Sequence, residues 1–240
     1  MNYGEYLKNI SFRLYRPMEN FAKYERLSEF LDKYGVSLEI LNTRIPADSA
    51  RMRKTLKPLR RIPRMSTYAI AAMINRAVSE MADDESFVNV GVWNGFTLLA
   101  GMLNNRGKTC IGVDNFSEFG GPREDFLKRF NKHRSVKHQF HEMDYEKYFS
   151  EVHSGPIGFY IYDGEHSYEN QLKGMQVAEP FFAKRCRILI DDTNLPAPRR
   201  ALEDFIAQSK NKYEILLDRK TSKNLHPTLW NGVTVLQRVA

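Results

Sequence analysis

Apolar residues change their spacing near Met65, and the change divides the chain into two textures. From there on, short apolar runs alternate with amphipathic stretches. The runs at 87–90, 109–113, 136–140, 157–162 and 187–190 are four to six residues long, the length of strands. Between them the spacing predicts helices over 95–103, 123–133 and 168–182, with another over 199–209 after the last run. A further helix before the first run covers 66–81, with Ile70, Met73, Ile74 and Val78 at helical intervals and Ser66 or Thr67 as its cap. Strands that alternate with helices of this length pair in parallel through right-handed crossovers. The prediction is therefore a doubly wound α/β domain with helices on both faces of an open sheet. Runs at 213–217 and 228–237 have only a loop between them and read as a closing antiparallel hairpin. The sheet is then seven-stranded and mostly parallel.

Residues 1–66 read as a helical, basic extension to a domain spanning 67–240. Helical spacing covers 15–34 through Phe21, Tyr24, Leu27, Phe30 and Leu31, and 51–64 holds seven basic residues and no acidic one. That basic stretch is open to two readings, a flap that holds an anionic substrate or a solvated linker.

A chain of 240 residues can bury one full-sized core plus an appendage, and 42% hydrophobic residues exclude wholesale disorder. The net charge of +7 suits nucleic acid, an anionic membrane surface or an acidic substrate, and charge alone selects none of them. Few aromatics interleave with the basic stretch, so a stacking surface for single-stranded RNA is poorly supported. Cys110 and Cys186 each adjoin an apolar run, which points to two buried reduced thiols rather than a disulfide. The first 21 residues lack a continuous apolar segment, and nowhere do apolar residues run to the roughly 18 of a membrane helix. A cytoplasmic protein is expected.

In a doubly wound sheet the ligand lies beyond the carboxyl ends of the strands, so the residues that follow each strand carry the chemistry. Gly91-Val92-Trp93-Asn94-Gly95 leaves the first strand and opens a helix; Gly91 permits a tight turn and Gly95 a close approach of backbone to ligand. Trp93 and Phe96 stand where a dinucleotide binder would carry glycine, which argues against NAD. Asp114 ends the second strand and can accept both hydroxyls of a ribose or cap the turn that follows. Asp144 can accept from an adenine amino group or cap residues 145–149. Asp163 follows the fourth strand, Asp191 and Asp192 follow the fifth, and adjacent parallel strands would bring all three into one crevice. Three carboxylates repel unless a cation lies among them, and an oxygen-only set suits Mg²⁺, with Mn²⁺ or Ca²⁺ as substitutes. The alternative is that Asp163 caps a helix and Asp192 faces water.

The segments VNVGVWNGFT, CIGVD, YDGEHSYENQL, RILIDDT and WNGVTVLQR occur in this order, and with them the chain from about Phe87 to its end resembles the methyltransferase-24 family. These are Rossmann-like class I enzymes that include macrocin-type sugar O-methyltransferases. The resemblance implies S-adenosylmethionine held at Gly91 to Gly95, with its ribose on Asp114, its adenine near Asp144, and Asp163 at the same pocket. It also implies a metal held by Asp163, Asp191 and Asp192, and a base three positions after the first metal ligand, which here is His166. Asp163 is the alternative base. Many class I enzymes carry an acidic residue two positions before the first glycine; this chain has Asn89, which can hydrogen-bond but cannot offset a sulfonium charge.

The function expected is metal-assisted O-methylation of a small hydroxylated molecule, a sugar or glycosylated metabolite. That acceptor is anionic if the basic stretch is a flap. Neither nucleic acid nor membrane is expected as a partner, and a homo-oligomer is compatible with the chain. The rivals are an RNA methyltransferase, favoured only by charge, and a binding protein that keeps the fold without turnover. His226, Trp230 and Asn231 are given no role, with Trp230 read as core.

Overall fold

The computed structural model describes residues 1–46 and 49–239. The amino-terminal part contributes short helices α1 (Tyr3–Asn9), α2 (Ala22–Asp32), α3 (Leu38–Asn42) and α4 (Ser49–Leu56), and a two-residue antiparallel ribbon pairs Ser11–Phe12 with Thr43–Arg44. Helical spacing over 15–34 yields only α2, because Pro17 lacks an N–H and Asn20 turns its side chain onto the amide of Ala22. The basic stretch folds as most of α4 and a 3-10 turn at Lys57–Arg61. Helix α5 (Tyr68–Ser79) follows, and Thr67 is its cap, accepting from Ile70 N at 3.3 Å.

Strands and helices then alternate as the spacing predicts: β1 (Ser86–Val90), α6 (Phe96–Met102), β2 (Thr109–Asp114), α7 (Arg123–His133), β3 (His138–Glu142), α8 (Tyr145–Glu151), β4 (Ile157–Tyr162), α9 (Tyr168–Ala178), β5 (Phe182–Asp191), α10 (Pro196–Gln208), β6 (Tyr213–Arg219) and β7 (Val233–Arg238). Side by side the strands run β3-β2-β1-β4-β5-β7-β6. The first five are parallel, whereas β7 pairs antiparallel with both β5 and β6. This is the doubly wound, seven-stranded sheet with a closing hairpin.

Alternate residues of each strand feed opposite faces, as a pleated strand requires. Phe87, Cys110, Phe159, Ile161 and Leu189 join a core with α5 and α6, while Val88, Val90, Ile111, Tyr160 and Ile188 join another with α9 and α10. The amino-terminal segment shares the first of these cores. Tyr3 and Tyr6 are buried there and donate to the carbonyls of Met73 and Ala72 in α5. The change of texture near Met65 is therefore not a break in packing. Both cysteines are buried and unbonded to each other. Among the described residues no helix is long and apolar enough to cross a membrane.

Several boundaries differ from the spacing: β5 begins at Phe182 rather than 187 and β7 at Val233 rather than 228, and two further shifts have plain causes. The third strand is displaced from 136–140 to His138–Glu142, because Val136 is 96% exposed in the turn before it. The helix expected to reach 182 stops at Ala178; Pro180 has no amide to continue the ladder, and Glu179–Phe181 closes as a 3-10 turn.

Candidate active site

Strand β1 is third of the seven, with parallel neighbours on both sides, so its carboxyl end opens a crevice between the connections on either flank. Gly91 leaves it with a φ of +76°, and a Cβ there would collide with the Asp163 carbonyl at the end of β4. Asp163 N donates to Val90 O at 2.8 Å, which ties the ends of β4 and β1, and Gly91 N donates to Val113 O of β2 at 2.9 Å. Gly95, at φ +89°, begins α6, and a Cβ there would lie 2.8 Å from the Phe126 ring. Only glycine meets both demands at Gly91 and Gly95.

Asp114 holds this loop from β2. Its Oδ2 accepts from Val92 N at 2.7 Å and Trp93 N at 2.8 Å, and its Oδ1 accepts from Phe116 N at 2.6 Å. The turn-capping role is thus filled; Oδ2 has both lone pairs engaged, and Oδ1 keeps one for a hydroxyl. Asp144 caps α8, with Oδ1 accepting from Glu146 N and Lys147 N, and it also lines the crevice. Asn89 is fully buried beneath the loop; its amide donates to Val90 O and Gly91 O, and its Oδ1 has no partner.

The three aspartates meet. His166 Nε2 lies 3.6 Å from Asp163 Oδ1 and 3.8 Å from Asp192 Oδ2. One ligand atom each from Asp163, His166 and Asp191 lie within 4.8 Å of one another, so in the tightest set His166 stands where Asp192 was expected. Neither alternative for these aspartates holds: Ser167 caps α9, and Asp192 is buried at φ +53°. Asp191 Oδ1 and Asp192 Oδ1 are both buried without any partner.

Burial pushes the Asp163 carboxyl above its usual range against the pull of His166. Burial, then the Asp163 charge, pushes Asp191 well above that range. Asp192 rises to about 6 through burial and the Asp191 charge. Burial alone would depress the His166 imidazole, but its hydrogen bond to Asp163 and the charges of Asp191, Asp163 and Asp192 outweigh it and hold the pKa at about 10. The cluster is short of positive charge, and its orphaned carboxylate oxygens are the donors a hard divalent cation takes. On this chemistry Asp163, Asp191 and Asp192, with His166, fit such an ion.

These groups line one cavity of about 360 Å³, within the usual range for small-molecule sites. Trp93, Phe119, Tyr145, Leu225, Trp230 and Asn231 also line it. The last three belong to the connection from β6 to β7. Trp230 is half-buried at φ +52°, a wall residue that also packs on the core, so it and Asn231 contribute to the cavity after all. His226 does not: it is fully buried against Phe21 and Thr228. Of the basic stretch, only Arg64 reaches the cavity, and its guanidinium is paired with Glu39 at 2.6 Å.

Residues 88–193 match a protein family described as a methyltransferase domain. That match spans less than half of the chain. Its fold is shared with solved structures of low sequence identity. Cofactor-bound Rv0187 from MTB aligns with a TM-score of 0.59 at 13% identity over 92% of this chain and 99% of that one. The Bacillus cereus O-methyltransferase in complex with SAH aligns at 0.57 and 10% identity over 90% and 97%. CalS11, the TDP-rhamnose 3'-O-methyltransferase of calicheamicin biosynthesis, aligns at 0.55 and 17% identity over 92% and 96%. No curated protein matches the sequence. The matched segment lies within this shared fold, with the 91–95 loop, Asp114 and the carboxylate cluster gathered at one end of its sheet.

Proposed function

We propose that the protein is an S-adenosylmethionine-dependent, divalent-metal-assisted O-methyltransferase that acts on a hydroxyl of a small molecule, with a sugar or glycosylated metabolite as the acceptor class. The observation that carries the reading is the convergence of Asp163, Asp191, Asp192 and His166 in the same cavity as the glycine loop. The bound SAH of the B. cereus enzyme and the sugar acceptor of CalS11 support the donor and acceptor class by similarity of fold.

When bound, the donor supplies an electrophilic methyl group and a divalent cation lowers the pKa of the acceptor hydroxyl. The chain supplies the rest. Gly91 and Gly95 would let the backbone approach the donor, Asp114 would offer the free lone pair of its Oδ1 to a ribose, and Asp144, which lines the same cavity, would accept from an adenine amino group. Trp93, Phe119 and Trp230 line the crevice and give it apolar walls. Asp163, Asp191 and Asp192 are the residues that would hold the cation.

His166 takes the acceptor proton at Nε2, and Asp163 is the alternative. With a pKa of about 10 the ring already carries a proton when the carboxylate charge is uncompensated, so it cannot act as a base in that state. A divalent cation held by Asp163, Asp191 and Asp192 would offset that charge and lower the imidazole pKa, so that the ring could accept a proton.

The test is turnover of S-adenosylmethionine against a panel of sugars and catechol-like acceptors, with Mg²⁺ and with a chelator. Methyl transfer to a sugar hydroxyl that the chelator abolishes supports the reading, while transfer that ignores the chelator overturns its metal-assisted part. Equal failure of every small acceptor beside activity on RNA overturns the acceptor class.

A further inference from the structure

A glutamine is out of place where Gln171 stands. The inward stripe of α9 consists of Gln171, Gly174, Met175 and Ala178, at the three- and four-residue spacing of a helix face turned to a core. Gln171 is fully buried among them. A buried amide has an oxygen and two N–H groups to satisfy, yet Gln171 has one partner: Oε1 lies 3.0 Å from His166 Nδ1, and Nε2 has none. A leucine or methionine would fill the same space without leaving a donor unpaired.

The single contact explains the residue. A carbonyl oxygen can only accept, so the bond to Oε1 requires Nδ1 to carry hydrogen. Nε2 is then the nitrogen that faces Asp163 Oδ1 at 3.6 Å and Asp192 Oδ2 at 3.8 Å. An imidazole fixed at one nitrogen presents the other in a set direction, and the partner of the first decides which atom works.

We propose that Gln171 is the positioning residue for His166, accepting its Nδ1–H so that Nε2 is the atom turned to the carboxylates and the acceptor. Gln171 touches neither acceptor nor donor and works through the ring alone. The inference rests on the proposed methyl transfer for its kinetic consequence but not for its structural one.

The experiment is nitrogen NMR of ¹⁵N-histidine-labelled protein, with the ring neutral, on wild type, Gln171→Met and Gln171→Glu, alongside kcat and KM for the methyl donor. Wild type is expected to show hydrogen on Nδ1 and a bare Nε2. Gln171→Met keeps length and burial but removes the acceptor; it is expected to lose that signature and between about 10- and 100-fold in kcat, with the donor KM unchanged. Gln171→Glu retains an acceptor and should retain the signature. A wild-type ring protonated on Nε2 overturns the proposal directly, even if Gln171→Met fails to fold. So does a Met variant that loses kcat with unaltered nitrogen shifts, which would assign Gln171 to packing alone. Absence of methyl transfer by wild type would count against the proposed function while the nitrogen signature still reported on Gln171.

Discussion

The interior of the sheet and the rim at its carboxyl edge are built to different standards. Inside, the strand residues are buried, paired in register and conformationally ordinary. At the rim the backbone is strained. Seven non-glycine residues among those described have positive φ, and six of them, Trp93, Phe116, Phe119, Asp192, Leu225 and Trp230, line the cavity; only Asn104 does not. Bulky aromatics in this region of conformational space are rare and cost of order 1–3 kcal/mol each. Four of the nine buried side-chain polar atoms without a partner among the described residues lie at the same edge: Asp191 Oδ1, Asp192 Oδ1, Gln171 Nε2 and, beneath the loop, Asn89 Oδ1. A regular interior holds a strained, under-satisfied rim in place. That division is expected where the rim is shaped for ligands it must complete itself with.

Substitutions on the two sides should fail differently. Asp191→Asn at the rim is expected to lower turnover by about 10³-fold, the loss of several kcal/mol of charge stabilisation, with donor affinity retained; initial rates and donor titration check both halves. His166→Ala should lower turnover by about 10²-fold with little change in donor binding. Its metal affinity separates two roles, because a base can be removed without weakening the ion whereas a ligand cannot. Gly91→Ala would press a Cβ into the unyielding Asp163 carbonyl and is expected to cost about 3 kcal/mol and to abolish donor binding. Gly101→Ala, which meets the Phe87 ring in the interior, is expected to cost about 1–3 kcal/mol while the folded fraction keeps its activity. Denaturant melts paired with donor titration distinguish them.

The smallest effect concerns pH. Asp192 titrates near 6 in the folded chain against an ordinary 3.8, so between those values the folded state binds more protons than the unfolded one. Its contribution to stability accordingly declines as pH rises through that window. A cation competes with those protons. Mg²⁺ at a hundred times its dissociation constant should add about 2.7 kcal/mol, or about 5–10 °C in Tm, at pH 7.5 and much less at pH 5. Melting curves at the two pH values would break the comparison if the shift were equal.

Much of this was legible in the amino-acid order. Helix α7 and strand β4 have the bounds their spacing predicts, because each is a clean amphipathic or apolar run closed by polar residues. Asp114, Asp163 and Asp191 stand at or just beyond such runs, so their meeting at one edge follows from the topology. Other features leave little linear trace. Gln171 sits in a helix stripe and becomes informative only through its burial and its contact with His166. Trp230 and Asn231 arrive on a connection whose path depends on Asn194, which donates to Thr221, and on a positive φ at Gly232. The caps that Asp114 and Asp144 form are local bonds that coexist with a pocket role, and linear spacing cannot separate the two.

The central claim is that Asp163, Asp191 and Asp192 hold a divalent cation beside the donor pocket. Calorimetric titration of Mg²⁺ into wild type and Asp191→Asn, each saturated with S-adenosylhomocysteine, addresses it most directly. The account predicts one ion per wild-type chain and none for the variant. Failure of wild type to bind, or equal binding by both proteins, would contradict it.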